Sequence, residues 1–163
     1  MAKAIFPGSF DPPTFGHLNI IERARAIFEE IHVVIAVNRN KKALFLPEER
    51  FVLLENLAAR WDNISVHIHD GLIADYAAKT GIDILIRGIR NIEDFMYEFD
   101  ISVINKALYP KIETIFIPTE QRFFVLNSSS IKEVAAFGGD TSSMAPPIVV
   151  EALKKKFLPG GNP

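Results

Sequence analysis

The chain has 163 residues, no cysteine and a formal net charge of −2; 48% of the residues are hydrophobic and 23% charged. That size allows one domain with a proper core rather than two, and the near-neutral balance offers no general attraction to nucleic acid or to an anionic membrane. The missing cysteine excludes disulfides, thiolate nucleophiles and zinc–sulfur sites and suits a cytoplasmic protein, which is the expected location; no apolar run reaches the ~20 residues of a membrane span, and Pro7 interrupts the amino-terminal run before a signal peptide could form.

Short β-branched runs alternate with longer amphipathic segments. Lys3–Phe6 predicts a strand, His17–Glu30 a helix, and Ile31–Val37, apolar on both faces, a buried parallel strand. Pro47–Trp61 begins with a proline and two acids, as a helix N-terminus does. Asn63–His69 predicts a third strand, Leu72–Gly81 a short helix closed by glycine, and Ile82–Ile86 a fourth strand. Asn91–Leu108 predicts a long helix with Phe95, Phe99, Val103 and Ala107 on one stripe, and Glu113–Ile117 a fifth strand. Ser128–Gly139 and Pro146–Phe157 predict two final helices, and Leu158–Pro163 a flexible tail. With no internal repeat or linker, residues 1–163 are expected to form one domain. The alternation implies an α/β fold: a Rossmann-like, doubly wound, five-stranded parallel sheet with helices on both faces.

Ligands of such sheets bind beyond the carboxyl ends of the strands. The unusual residues fall there: "GSFDPPTFGH" (Gly8–His17), "NRNKK" (Asn38–Lys42), "HDGLI" (His69–Ile73), "RGIRN" (Arg87–Asn91) and "PTEQRFFVLNSSS" (Pro118–Ser130). In the first of these, two glycines permit close approach, two prolines remove amide donors, and a helix beginning near Thr14 would turn free N–H groups toward an anion. His17 could add an imidazole donor, although a surface histidine beside a helix start is the simpler reading of that residue alone. Arg87 and Arg90, three apart, could face one anion if a helix turn begins there. Ser128 and Ser129 could cap a helix and lend N–H donors; a cap alone would also explain them. His67 and His69 share a strand face, but with no third ligand they are set aside as a metal site.

Thr14–Phe15–Gly16–His17 resembles the His/Thr-x-Gly-His signature of a nucleotidyltransferase superfamily. With the lysines of "NRNKK", "LIRGIRN", "DFMYE" and "SSSIKEVA", the chain from Lys3 to about Leu158 resembles the bacterial phosphopantetheine adenylyltransferases. The resemblance implies condensation of ATP with 4′-phosphopantetheine to dephospho-coenzyme A and pyrophosphate, by in-line attack without a covalent intermediate. It implies catalytic roles for His17, Lys41 and Arg90. It places ATP at Ser9, Phe10, His17, Gly88, Ile89, Arg90, Glu98 and the stretch Phe123, Phe124, Val125, Leu126, Asn127, Ser128 and Ser129. The pantetheine substrate falls to Ser9, Lys41, Leu72, Ile73 and Arg87. Mg²⁺ is implied, arriving on the ATP phosphates with no protein ligand assigned. A homohexamer and feedback binding of coenzyme A are implied as well, with no nucleic-acid or membrane partner. Ser9 stands where the family usually has threonine, Phe15 where a small polar residue is more usual, and Asn127 where serine is frequent. The alternatives are a related enzyme acting on another phosphate or mononucleotide, such as nicotinate mononucleotide, or a non-catalytic nucleotide sensor. A sensor would be expected to have lost His17 or Lys41. A fragment of a class I aminoacyl-tRNA synthetase lacks support, because no lysine-rich second signature loop is present.

Overall fold

The computed structural model describes residues 2–38 and 42–157. Lys41 and the expected tail at 158–163 lie outside the described residues. Five strands, β1 (Lys3–Gly8), β2 (Glu30–Ala36), β3 (Ile64–His69), β4 (Ile84–Ile89) and β5 (Glu113–Pro118), form one sheet in the order β3-β2-β1-β4-β5, every pair parallel. The helices are α1 (Phe15–Ala24), α2 (Pro47–Ala58), α3 (Ile73–Thr80), α4 (Ile92–Leu108), α5 (Ser128–Ala136) and α6 (Pro147–Phe157). This is the Rossmann-like fold expected from the alternating pattern.

The sheet's two faces are filled by alternate residues of the same strands, as the period of two requires. Ala4 and Phe6 of β1 pack with Leu18 and Ile21 of α1 and Leu54 and Ala58 of α2. Ile5, between them, faces the other way onto Ala74 and Ala77 of α3, with Val34 and Leu85 beside it. Helices α5 and α6 add a further layer, in which Ile131, Val149 and Leu153 meet Leu53 of α2. The connections run from β1 out to β3, then cross back over β1 to β4. The carboxyl ends of β1 and β4 are therefore the point where the winding reverses, and a crevice opens there.

Among the boundaries that differ from those read in the sequence, three follow from tertiary contacts. Helix α1 begins at Phe15 and stops at Ala24, because Glu30 is already paired with Lys3 in the sheet. Helix α2 ends at Ala58; Trp61 is tucked into the core, and the Asn63 side chain bonds the Arg25 and Phe28 carbonyls. Strand β4 continues past Ile86, with Arg87, Gly88 and Ile89 opposite Phe116, Ile117 and Pro118. The helix turn expected to present Arg87 and Arg90 is thus an extended strand end. Gly88 is needed there: a β-carbon would lie 3.0 Å from Ile20 of α1.

The α4 stripe only partly covers the sheet. Phe95 packs edge-on against Phe116 of β5, whereas Ile92, Met96, Phe99, Val103, Ile104 and Leu108 are all about half exposed or more. No described helix is long and apolar enough to cross a membrane. The histidines of β3 are engaged locally: His67 stacks on His32 at 4.5 Å and bonds Ser65, and His69 meets the Leu72 carbonyl.

Candidate active site

The loop after β1 turns sharply on Phe10, which has φ of +47°, a left-handed conformation uncommon for a bulky residue. Its ring is wholly buried beneath the loop, against Phe6 (5.6 Å) and His17 (4.9 Å). Phe10 can therefore offer a ligand only its backbone. Gly8 makes room for that ring, since a β-carbon there would stand 3.0 Å from it.

Thr14 then caps α1. Its Oγ1 accepts from the His17 N–H (3.3 Å), and its own N–H donates to His17 Nδ1 (3.0 Å). This is a capping box in which histidine does the work usually done by glutamate. Because Nδ1 accepts, the ring proton sits on Nε2, and His17 lines the crevice as a fixed donor. Burial, with the Arg90 and Arg87 guanidiniums nearby, lowers its pKa to about 4. His17 is thus neutral in the native state at pH 7. The unfolded chain takes up this proton first, at an ordinary pKa near 6.5. Stability from this group is fully present above that pH and is lost as pH falls through 6.5 toward 4. An NMR titration should show the His17 ring unprotonated down to about pH 5.

The crevice, about 350 Å³, is lined by Ser9, His17, Arg87, Gly88, Arg90, Glu98, Leu126, Asn127 and Ser128 from the expected set. Arg87 is held by both oxygens of Glu98 (2.5 and 2.6 Å) and by the Pro7 carbonyl (2.7 Å). Arg90 is held by both oxygens of Asp94 (2.9 and 3.2 Å) and by the Leu126 carbonyl (3.2 Å). Burial alone would raise the Asp94 pKa, but its bonds to Arg90 hold it below the usual range. Each arginine spends three of its five N–H donors in this way and keeps two for a ligand.

Around Phe123 the chain makes a short 3₁₀ turn (Gln121–Phe123) that the sequence pattern does not announce. The Phe123 ring is covered by Arg122 (4.6 Å), and its Cβ passes close to Gly16. Phe124 and Val125 are exposed outside the crevice. Asn127 caps α5, its side chain accepting from the Ser130 N–H (2.8 Å), so the cap expected of Ser128 and Ser129 falls to Asn127. The Ser128 hydroxyl instead donates to the Pro12 carbonyl (2.9 Å) and ties α5 to the first loop. Leu72 and Ile73 line an adjoining cleft of about 330 Å³ that shares Pro7, Arg87 and Glu98 with the crevice. The two clefts meet at the Arg87–Glu98 pair.

Two structural residues escape sequence reasoning. Buried Asp11 accepts from the Leu44 and Phe45 amides (3.0 and 2.8 Å) and from Lys132 (2.8 Å). It joins the first loop to the segment before α2 and to α5. Burial would raise its pKa, but Lys132 and the two amides keep it lowered. Asp94 could have been found from its spacing, one helical turn after Arg90.

The sequence profile of the cytidylyltransferase-like family matches residues 5–134. A phosphopantetheine adenylyltransferase of Heliobacterium modesticaldum is 42% identical over 157 residues, covering 96% of this chain and 94% of the relative. One of Dictyoglomus thermophilum is 44% identical over 157 residues, covering 96% of each. In fold the chain is similar to a provisionally named nicotinate-nucleotide adenylyltransferase of Vibrio parahaemolyticus (TM-score 0.67, 20% identity, 96% of this chain and 95% of the other). It is likewise similar to the nicotinic acid mononucleotide adenylyltransferase of Plasmodium falciparum (TM-score 0.64, 18% identity, 99% and 98%). Identity at that level speaks for the fold alone, whereas the relatives above 40% span nearly the whole chain: it belongs to the phosphopantetheine adenylyltransferase family.

Proposed function

We propose that this protein transfers the adenylyl group of ATP to 4′-phosphopantetheine, giving dephospho-coenzyme A and pyrophosphate. The observation that carries the reading is the meeting of two clefts at Arg87, one holding His17 and the α5 N-terminus, the other the apolar Leu72 and Ile73. The first suits a nucleotide triphosphate, with Ser9, Gly88, Arg90, Glu98, Leu126, Asn127 and Ser128 around it. The second suits an extended, largely uncharged arm whose phosphate reaches Arg87, Ser9 and Lys41.

An oxygen of the acceptor phosphate attacks the α-phosphorus of ATP as the bond from that phosphorus to the pyrophosphate oxygen breaks. No side chain need be covalently modified. The protein's work is alignment of the two phosphates and stabilisation of charge on the α-phosphate oxygens. His17 Nε2–H and the spare N–H groups of Arg90 are the donors for that charge. A neutral, pre-oriented imidazole can donate without first gaining a proton, so its low pKa serves the role. Mg²⁺ is assigned to the ATP phosphates. Among the described residues no group of three or more His, Asp or Glu could hold a metal.

Lys41 is proposed to bind the acceptor phosphate. Lys41→Ala should raise the KM for 4′-phosphopantetheine about 10- to 100-fold, the loss of one hydrogen bond to a charged group, with little change in the KM for ATP. Equal change in both constants would remove Lys41 from the acceptor side. The exposed apolar face of α4 favours self-association, and we assign a homohexamer, with coenzyme A as a feedback ligand of the joined clefts and the cytoplasm as the location.

The activity is tested by pyrophosphate release from ATP with 4′-phosphopantetheine, and in parallel with nicotinate mononucleotide. Turnover with the first and none with the second is expected. Turnover with nicotinate mononucleotide alone would transfer the assignment to that substrate, and no release with either would end it.

A further inference from the structure

Helix α1 buries Leu18, Ile20 and Ile21, yet between them it also buries Asn19, at 6% exposure. A buried amide costs free energy unless its donor and its acceptor are both bonded. Here one residue, Glu120, satisfies both. Asn19 Nδ2 donates to Glu120 Oε1 (2.7 Å), and Asn19 Oδ1 accepts from the Glu120 N–H (3.3 Å). One turn further along α1, Arg23 donates to the Pro118 carbonyl. Residues four apart share a helix face, so α1 grips the same distant segment at two points. Glu120 is also where the 3₁₀ turn begins: its carbonyl accepts from the Phe123 N–H (2.9 Å), and its second carboxylate oxygen accepts from Arg122 Nε (2.8 Å).

The gripped segment is one wall of the crevice. Thr119, just before Glu120, and Leu126, beyond the turn, line it together with Gly16 and Ile20 on the α1 side and Gly88 of β4. Thr119 is tied to β4 by its N–H on the Ile89 carbonyl (2.8 Å), and the Leu126 carbonyl accepts from Arg90 (3.2 Å). None of these five lining residues is charged, in contrast to the part of the crevice at Arg87 and Arg90. An uncharged slot suits a flat base rather than phosphate. Asn19 stands behind this wall, outside the lining. We propose that Asn19 is a positioning residue for the nucleoside: through Glu120 it fixes the spacing between α1 and residues 119–126, and with it the width of the slot that takes the base. The identity of the nucleotide rests on the proposed adenylyl transfer; the reciprocal Asn19–Glu120 contact does not.

The test uses the full chain and calorimetric titration with ATP, inorganic tripolyphosphate and 4′-phosphopantetheine, each alone; tripolyphosphate carries the phosphates of ATP without its nucleoside. Asn19→Leu should weaken ATP about 10-fold, as the loss of a hydrogen bond to a charged group implies, and leave the other two within about threefold of wild type. Asn19→Asp sets two carboxylates against each other, a contact that forms only with a proton between them. Its ATP affinity, relative to wild type at the same pH, should be about 10-fold low near pH 8 and recover as the pH falls toward about 5. Adding Glu120→Gln to Asn19→Asp exchanges donor and acceptor across the same contact and should restore ATP affinity to within about threefold at either pH. ATP binding unchanged by Asn19→Leu overturns the proposal. Equal weakening of ATP and tripolyphosphate does so too, because it marks Asn19 as support for the fold alone. So does an Asn19→Asp defect that neither acid nor Glu120→Gln repairs. If Asn19→Leu does not fold, the two Asn19→Asp proteins decide by the same criteria. No turnover in the release assay with these ATP effects intact would count against the adenylyl transfer and leave the role of Asn19 standing; normal turnover with ATP affinity indifferent to position 19 would do the reverse.

Discussion

Replacing His17 with alanine should lower kcat about 100- to 1,000-fold, the usual effect of deleting one pre-oriented donor to transition-state charge. The KM for ATP should stay within about threefold, because the bond to the α-phosphate oxygen strengthens as charge develops there. His17 is fixed for this by the Thr14 N–H on Nδ1 and by the Phe10 ring beside it. His17→Gln, which keeps a donor on a longer stem, should retain more activity than His17→Ala. A kcat within a factor of a few of wild type for the alanine variant would remove His17 from the chemistry. A large rise in KM with kcat intact would make it a ground-state contact.

The second large effect is expected at Glu98. The Glu98 side chain is 9% exposed and that of Arg87 23%, so the pair is well shielded from water. Removing one partner leaves the other charge buried and uncompensated, a loss of about 3–5 kcal/mol for a fully buried pair. Glu98→Ala should therefore lower the unfolding free energy by about 3 kcal/mol in urea titration, and it should also release the guanidinium that separates the two clefts. The double variant Glu98→Ala with Arg87→Met should regain part of the stability but none of the activity. The Lys106–Glu113 pair is a useful contrast. Both members are exposed, and its removal should cost no more than about 1 kcal/mol. If Glu98→Ala unfolds no more readily than that surface variant, the pair is not a structural strut.

The layout of the site was legible because its cues are local. Thr14 and His17 lie within one turn, prolines and glycines fix the first loop, and apolar runs on both faces of a strand imply a parallel sheet, whose carboxyl edge collects the loops. What stayed hidden depends on partners far away in the chain. Nothing near Glu98 reveals that Arg87 occupies both of its oxygens, since that contact is made only when α4 lies across β4. Arg50 reads in sequence as one more charged residue on an amphipathic helix; only the packing of α2 beneath the first loop buries it. The extension of β4 through Ile89 was missed because glycine is a poor strand former, and the register with β5 overrides that preference. The α5 cap stayed ambiguous because Asn127 is followed by three serines, each able to play the same part.

The Asp11 carboxylate sets how the site comes apart. It bridges chain segments 33 and 121 positions away from it, so two long loops close on one buried side chain. Detachment of α5 would strip Lys132 from that carboxylate, and the Leu44 and Phe45 amides share the same acceptor. Native-state hydrogen exchange should find those two amides opening at the same free energy as the α5 backbone, a single cooperative unit assembled from three distant stretches of sequence.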